Sequence, residues 1–321
     1  MELGLFTPIF GRLDLGELLQ KVARYPAIRY LEIGTGGWPG SNHIDVDRLL
    51  ANRDAVAEYR SRLKDAGLCI SALSCHGNPV HPDADIARRD DAIYRKTIRL
   101  AELLEVPVVI TFSGCPGASV DDRTPNWITT PWPPEYLQSL EWQWDKKLTP
   151  YWIEAAQFAA NSGIRVALEA HPGFCVYNPE TLLKLRASAG PSLGINLDPS
   201  HLWWQGMDIP IVIDTLGEAI FHVHAKDVAL NSRLVAQNGV LDVKSYLNMP
   251  KRSWLFRSVG WGHSELEWKL IVSALRLAGY DYVMSIEHED ALASIDEGLS
   301  SAVSLLSRVL LREPPADAWW A

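Results

Sequence analysis

Four segments of the sequence share one ending, and this ending constrains the fold more than any other feature. Each segment is short and largely apolar, and each closes with a carboxylate and a histidine. The segments are residues 165–172, 193–201, 220–227 and 282–290. A charged residue at the end of one strand is usually a solvated cap. Four successive strands that end in this way indicate a fold that brings their ends together.

The rest of the chain predicts strands that alternate with helices. In the first half, the predicted strands are residues 2–7, 28–34, 69–77 and 106–114, and the predicted helices are residues 13–25, 45–66 and 85–104. Asp14 is the expected N-cap of the first helix. In the second half, the predicted helices lie near residues 148–162, 179–189, 209–217, 264–278 and 291–311. Together these elements make eight strand and helix pairs.

The strands are almost entirely apolar, which is typical of parallel strands covered on both faces. A doubly wound open sheet is the main competing fold, but it normally has a glycine-rich turn after its first strand. The turn at residues 7–12 contains no GxGxxG pattern. We therefore predict a single-domain (β/α)8 TIM barrel over residues 1–312, with a long Trp-rich insertion at about 114–146 and a tail at 313–321.

Composition excludes several classes of protein. A chain of 321 residues that is 47% apolar can bury the core of one large barrel. Its net charge of -9, without basic clusters, argues against a nucleic-acid partner. Neither an apolar run of roughly 20 residues nor a signal-peptide pattern is found, so we expect a cytoplasmic protein without membrane contact. Four cysteines without a CxxC pair predict neither a zinc knuckle nor a disulfide framework.

A TIM barrel places the C-terminal ends of its strands around one mouth. Glu169, Asp198, His224 and Glu287 come from the last four predicted strands, one from each. Three carboxylates this close would repel one another unless a cation neutralised them. We predict one divalent metal ion, with Mn²⁺ preferred and Mg²⁺ or Co²⁺ as alternatives, because the ligand set is rich in oxygen. The alternative is a metal-free barrel with salt-bridged rim charges.

These strand ends resemble those of the xylose-isomerase-like barrels, which include sugar phosphate isomerases and epimerases and inosose dehydratase. The matching motifs are Leu-Glu-Ala-His-Pro at 168–172, Leu-Asp-Pro-Ser-His at 197–201, His-Val-His-Ala-Lys-Asp at 222–227 and Ile-Glu-His-Glu at 286–289. The resemblance covers nearly the whole chain. It implies that Glu169, Asp198, His224 and Glu287 bind the metal and that His201 contacts the substrate. The epimerases place a basic residue shortly after the seventh-strand histidine, whereas residues 228–231 here read Val-Ala-Leu-Asn.

A metal ion that holds a carbonyl oxygen and the neighbouring hydroxyl stabilises an enediolate. Glu169 and Glu287 are the expected catalytic carboxylates, one removing a proton and the other returning it. We predict a sugar isomerase or epimerase. One alternative is a lyase or dehydratase that cleaves a 3-oxo sugar or glycoside by β-elimination. A second is a noncatalytic sugar-binding or partner subunit.

Several further residues are candidates for substrate contact. His171 and His201 follow metal-ligand positions and could exchange a substrate proton, or they could merely cap loops. Glu32 and His76 end the second and third strands, where sugar hydroxyls would lie. Arg257 adjoins a glycine-rich turn and could bind a hydroxylated or anionic substrate, or it could be solvated.

Three polar residues of the seventh strand have structural interpretations. His222 points to the same side as His224 but one layer deeper, which favours a hydrogen-bonded core histidine. Lys226 and Asp227 could form a pair that orients His224, or a plain salt bridge.

Tryptophans concentrate near the predicted mouth. They are Trp127, Trp132, Trp142 and Trp144 in the insertion, and Trp203, Trp204, Trp254 and Trp261 in later loops. We expect a cover that stacks on sugar rings, with Trp203 among the substrate contacts. The same aromatics could form a homo-oligomer interface or contact a partner subunit. Their number favours a bulky or glycosylated sugar over a small phosphosugar.

Overall fold

A closed barrel of eight parallel strands forms the centre of the computed structural model, which describes residues 1–318 and Trp320. Its strands are β1 (Glu2–Phe6), β2 (Ile28–Gly34), β3 (Cys69–Ser74), β4 (Val108–Phe112), β5 (Arg165–Glu169), β6 (Leu193–Leu197), β7 (Ile220–Ala225) and β10 (Val283–Ile286). The ring closes where β10 pairs with both β1 and β7. The predicted TIM barrel is therefore confirmed.

Helices surround the barrel. They are α1 (Leu15–Val22), α2 (Val46–Ala51), α3 (Arg53–Asp65), α4 (Ala84–Leu104), α5 (Glu135–Trp142), α6 (Thr149–Asn161), α7 (Pro179–Ala189), α8 (Pro199–Trp203), α9 (Ile209–Leu216), α10 (Ser232–Asn238), α11 (Glu265–Leu277) and α12 (Ile295–Val309). Asp14 caps α1 in a reciprocal box with Glu17, as the sequence predicted. No helix in this described part of the chain is long and apolar enough to cross a membrane.

One predicted helix is wrong in extent. Residues 45–66 form two helices because Asn52 is extended, with φ -142° and ψ 112°. Its side chain accepts hydrogen bonds from the backbone N–H groups of Asp54 and Ala55 and so caps α3. An asparagine that bonds to nearby backbone groups competes with a continuous helix.

The segment after β4 is partly helical. Residues 114–134 are irregular, but α5 begins at Glu135 and continues through a π-helical stretch, Gln143–Leu148, into α6. The buried side chain of Gln143 donates hydrogen bonds to the carbonyl groups of Pro116, Gly117 and Asn126. This contact fastens the irregular segment to the helix.

A second excursion, which the sequence did not predict, follows β7. Strands β8 (Asp227–Leu230) and β9 (Trp254–Arg257) pair in antiparallel register, and α10 lies between them. The predicted strand 220–227 therefore divides at Lys226 into a barrel strand and the first strand of this ribbon. The tail prediction, residues 313–321, includes Trp319 and Ala321, which lie outside the described residues.

The barrel interior is apolar at its base and polar toward its mouth. Ile110 and Ala167 belong to a small apolar cluster that is separate from the main core. They precede Phe112 and Glu169 by two residues, so the four side chains share the inward face of β4 and β5. Because strand ends converge at the mouth, the inward face delivers its polar residues there.

Candidate metal centre and active site

The four predicted metal ligands meet at the mouth of the barrel. Glu169 ends β5, Asp198 follows β6, His224 lies in β7 and Glu287 follows β10. Each offers one ligand atom, and these atoms all lie within 4.8 Å of one another. The first three residues are buried, and the Glu287 side chain is 12% exposed. The structure thus brings together residues that are up to 118 positions apart, from 169 to 287.

The bonding of these atoms fits a bound cation. Among the described residues, Asp198 Oδ2, His224 Nδ1 and Glu287 Oε2 are buried and make no hydrogen bond of directional geometry, although charged groups lie within 2.9 Å of each. His224 Nδ1 lies 2.9 Å from Glu287 Oε2, yet the pair does not have the directional geometry of a hydrogen bond. Buried polar atoms that lack a well-directed hydrogen bond are less stable than fully bonded ones. A divalent ion held by the four residues would satisfy all three atoms.

The ammonium group of Lys226 lies between three carboxylates of the cluster and its surroundings. Its Nζ lies 2.9 Å from Asp198 Oδ2, 2.8 Å from Glu287 Oε2 and 3.1 Å from Glu289 Oε2. The predicted pair with Asp227 is wrong, because successive side chains of an extended segment point to opposite sides. Lys226 points into the mouth, whereas Asp227 binds His263 at 2.7 Å on the other side.

The buried charges shift one another's pKa values. Burial acts to lower the pKa of Lys226, but the attraction of Asp198 and Glu287 outweighs it and raises that pKa well above its usual value. Burial raises the pKa of Asp198 to about 7, with repulsion from Glu287 adding to it and Lys226 opposing it. Burial acts to lower the pKa of His224 as well, but the attraction of Glu32 and Glu287 outweighs it and raises that pKa well above its usual value. Lys226 and His224 therefore both counter the negative charge of these carboxylates.

Glu169 is held by three donors. Its oxygens lie 3.0 Å from His76 Nε2, 3.3 Å from Asn196 Nδ2 and 3.2 Å from His201 Nε2. Burial acts to raise the pKa of Glu169, but hydrogen bonds from His201 and His76 hold it well below its usual value. An ionised carboxylate with a fixed direction therefore faces the cavity.

Glu32 lies behind His224. Its Oε2 is 2.9 Å from His224 Nε2, and Ser74 Oγ donates to its other oxygen at 2.5 Å. A carboxylate in this position would orient His224 and leave its Nδ1 free to bind a metal ion. Glu32 is fully buried and does not line the cavity, so the structure does not place it for the sugar-hydroxyl contact that the sequence suggested. Strands β1 and β10 separate β2 from β7, so the Glu32 side chain reaches His224 through the interior of the barrel.

The deeper histidine matches its structural interpretation. His222 is fully buried, with Nδ1 at 3.1 Å from Asn196 Oδ1 and Nε2 at 3.3 Å from Ser71 Oγ. The prediction of a hydrogen-bonded core histidine is confirmed.

His171 and His201 pack against each other, with ring centroids 4.0 Å apart. His171 lines the cavity, whereas His201 is buried beneath it, with Nε2 3.3 Å from Asp198 Oδ2. Burial is the main cause that lowers the pKa of both histidines, so they are neutral imidazoles. His201 is therefore placed to hold Asp198 and Glu169, and His171 is placed to reach a ligand.

A cavity of about 800 Å³ opens above this centre. Four predicted site residues line it: His76, Glu169, His171 and Glu287. Its aromatic lining consists of Phe6, Trp38, Phe112, Phe174, Tyr246 and Phe256. Lys226, His288 and Glu289 also reach it.

The aromatic cover differs from the predicted one. Within the described residues, no tryptophan of the insertion lines the cavity, and Trp144 is buried in the core. Trp203 stacks on His263 with ring centroids 3.7 Å apart, and Arg257 binds Asp290 at 3.1 Å. These partners hold Trp203 and Arg257 outside the cavity lining, so the structure does not bring either residue to the substrate side. Strands β1, β4 and β9 and three loops supply the aromatic wall instead. Residue type alone did not indicate these segments.

The fold and the strand-end cluster define a member of a known class. The family described as xylose isomerase-like TIM barrel matches residues 20–306, and the chain belongs to this family.

Particular relatives are similar over nearly the full length. The chain is 38% identical to "Uncharacterized protein YfiH" of Bacillus subtilis (strain 168) over 313 residues, which cover 97% of this chain and 99% of that protein.

Solved structures share the fold. The probable 3-DHS dehydratase AsbF from Bacillus anthracis is 19% identical, with a TM-score of 0.65 over 96% of this chain and 99% of that one. The IOLI protein with a binding zinc atom is 18% identical, with a TM-score of 0.63 over 97% and 99%. D-psicose 3-epimerase in the presence of D-fructose is 16% identical, with a TM-score of 0.60 over 98% and 100%.

Proposed function

We propose that this protein is a divalent-metal-dependent sugar isomerase or epimerase. One observation carries the proposal: two carboxylates, Glu169 and Glu287, line the same cavity and approach the same atom, His224 Nδ1, at 3.4 and 2.9 Å. Two bases that reach one small volume can remove a proton and return it. The similarity to a sugar 3-epimerase supports the same class of reaction.

Glu169, Asp198, His224 and Glu287 would hold the metal ion. When bound, the ion supplies Lewis-acid polarisation of a sugar carbonyl and its neighbouring hydroxyl, which stabilises the enediolate. We propose Mn²⁺ as the ion, with Mg²⁺ or Co²⁺ as alternatives, because three of the four ligands are carboxylates. The similar IOLI structure, with its zinc atom, supports a divalent ion at such a site.

The chain's own residues then move the proton. One of Glu169 and Glu287 removes it from the carbon next to the carbonyl, and a carboxylate returns it. Return to the opposite face of that carbon gives the epimer, and return to the neighbouring carbon gives the isomer. His76 and His201 hold Glu169 in direction throughout, while His171 faces the substrate hydroxyls.

A lyase is the second candidate, and Lys226 is the observation that favours it. Its ammonium group lines the cavity 2.8 Å from Glu287. There it could protonate an oxygen that leaves from the β-carbon of the same enediolate. The result would be dehydration or cleavage of a glycosidic bond, and the similarity to AsbF supports this class.

Solvent exchange tests the proposal directly. The metal-loaded protein is incubated in deuterated water with a panel of ketoses and 3-oxo-glycosides. We expect it to exchange one carbon-bound hydrogen of its substrate for deuterium, and proton NMR measures this exchange. The Glu287→Gln variant should lose this exchange, because an amide cannot accept the proton. Glu105→Gln, which changes an exposed carboxylate paired with Arg60, is the matched control.

A metal titration of Glu287→Gln accompanies the exchange measurement, so that loss of the ion is distinguished from loss of the base. Undiminished exchange in a variant that retains metal would remove Glu287 from catalysis. New vinylic signals or a released alcohol would select the lyase. A cytoplasmic location and a homo-oligomeric state remain predictions from the sequence.

A further inference from the structure

The cavity is divided by polarity and depth. Its floor carries buried charged groups, among them Glu169 and Lys226. Its outer part is apolar and exposed, and it includes Trp38 at 81% and Tyr246 at 52% exposure. A volume of about 800 Å³ lies in the upper part of the range of about 300–1,000 Å³ that drug-sized ligands occupy. A free hexose at the charged floor would leave this outer wall uncovered.

Trp38 is exposed, but its backbone is fixed. Its N–H donates to the carbonyl oxygen of His76 at 2.9 Å. Gly37 before it has φ +68°, and a Cβ there would stand 2.0 Å from the same carbonyl oxygen. Only glycine permits this close approach. The loop after β2 is therefore joined to the loop after β3, and it presents an indole at the rim beside His76, the residue that binds Glu169.

Tyr246 is also positioned by buried groups. Its ring lies nearly parallel to Phe256, with centroids 5.7 Å apart, and 4.3 Å from the guanidinium carbon of Arg252. Arg252 itself is only 2% exposed. Asp242 accepts a hydrogen bond from the N–H of Ser253 at 2.7 Å, which closes the loop that carries Tyr246. The outer wall is thus a built surface with two aromatic groups at its rim.

The same cavity offers no free cation. Across residues 1–318 and 320, Lys226 is the one lysine in its lining, and no arginine contributes. Lys226 already forms ion pairs with Asp198, Glu287 and Glu289. A phosphate group is usually bound by lysine, arginine or a helix N-terminus. In this lining it would meet no unpaired lysine or arginine, and the proposed metal ion is itself surrounded by the carboxylates of Glu169, Asp198 and Glu287. The charge distribution therefore favours an uncharged ligand.

From these observations we infer that the outer wall is a subsite for a second ring, joined through a glycosidic bond to the sugar at the charged floor, and that the ligand is uncharged. The inference rests on the proposed function for the reacting sugar itself. Indole and phenol faces pack on the apolar face of a sugar ring or on an aromatic aglycone. The subsite thereby selects glycosides over free sugars and sugar phosphates.

Binding measurements test the subsite without requiring turnover. Isothermal titration calorimetry of the Mg²⁺-loaded protein would compare the affinities of three classes of neutral probe and of glucose 6-phosphate. The neutral probes are methyl glycosides, p-nitrophenyl glycosides and disaccharides such as cellobiose, with glucose, galactose or mannose as the first sugar. Glycosides that carry a second ring should bind roughly three- to tenfold more tightly than their methyl counterparts. Trp38→Ala should remove this advantage and leave methyl glycoside binding unchanged. Trp132→Ala is the control, because Trp132 is 75% exposed but does not line the cavity.

Each outcome bears on the inference. Equal affinity for methyl and ring-bearing glycosides, absence of binding by any ring-bearing probe, or equal losses in both Trp variants would overturn the subsite. Tighter binding of glucose 6-phosphate than of the neutral probes would overturn the uncharged ligand. Cellobiose and p-nitrophenyl glycosides separate a sugar from an aromatic second ring. Ring-dependent binding without solvent exchange would leave the subsite standing and refute the isomerase instead.

Discussion

The charge balance at the mouth depends on individual residues. Lys226 touches three carboxylates, and His224 contacts Glu32 on one side and Glu287 on the other. A buried charge without such partners would be strongly unfavourable. The site is therefore a network in which each side chain has a direction imposed by a neighbour, and removal of one partner should alter the others.

Glu32 gives the prediction at this scale. The Glu32→Gln variant should bind a divalent ion with roughly 10- to 100-fold lower affinity, because the carboxylate that orients His224 is lost while the four ligands remain. Titration of Mn²⁺ or Mg²⁺ by calorimetry measures the change. Glu58→Gln, at an exposed carboxylate paired with Arg48, is the control. Equal affinities in the two variants would mean that Glu32 does not orient the ligand.

At the scale of elements, the ribbon of β8 and β9 depends on one aspartate. Asp227 is fully buried and accepts hydrogen bonds from the backbone N–H groups of Val228, Gly260, Gly262 and His263. These donors belong to both ends of the excursion, so the carboxylate ties the start of the ribbon to the segment that returns to α11. The ribbon in turn carries Phe256 into the cavity wall.

Substitution of this anchor should therefore loosen the whole element. Asp227→Ala should lower the free energy of unfolding by on the order of 3 kcal/mol, because several buried donors lose a charged acceptor. Asp227→Asn should cost less, since an amide oxygen still accepts. Urea unfolding measures both, with exposed Asp214→Ala as the control. A loss no larger than that of the control would show that the anchor is dispensable.

For the whole molecule, the proposed metal site would join strands that are distant in sequence. Its ligands come from β5 through to the segment after β10, so an ion would link half of the barrel. A ligand that binds only the folded state stabilises it by about 2.7 kcal/mol at a free concentration 100 times its dissociation constant. Chelation of the ion should consequently lower the melting temperature of the entire barrel.

Calorimetric melting with EDTA and with graded Mn²⁺ checks this expectation. The wild-type protein should melt at progressively higher temperature as Mn²⁺ rises, and Asp198→Asn should lose most of that dependence. Asp208→Asn is the matched control, because Asp208 caps α9 and is not one of the proposed ligands. If Asp198→Asn responds to Mn²⁺ as strongly as the control, the proposed ligand set is incorrect.

The sequence by itself determined the barrel and the meeting of the four strand-end residues Glu169, Asp198, His224 and Glu287. Both follow from local patterns: apolar runs without alternation predict covered parallel strands, and a carboxylate or histidine at each run's end needs only the closure of the barrel to meet its neighbours. Asp14 and His222 were predictable for the same reason, because capping and strand periodicity are local.

Only the tertiary structure decided how side chains meet across the barrel and between loops. Glu32 reaches His224 from a strand on the far side, Lys226 turns toward the carboxylates and away from Asp227, and Trp38 supplies the rim instead of the insertion's tryptophans. These contacts depend on strand register, on the direction of one side chain and on the paths of loops. Register, side-chain direction and loop path arise from packing between residues far apart in the chain, so the hydrophobic periodicity of the sequence does not predict them.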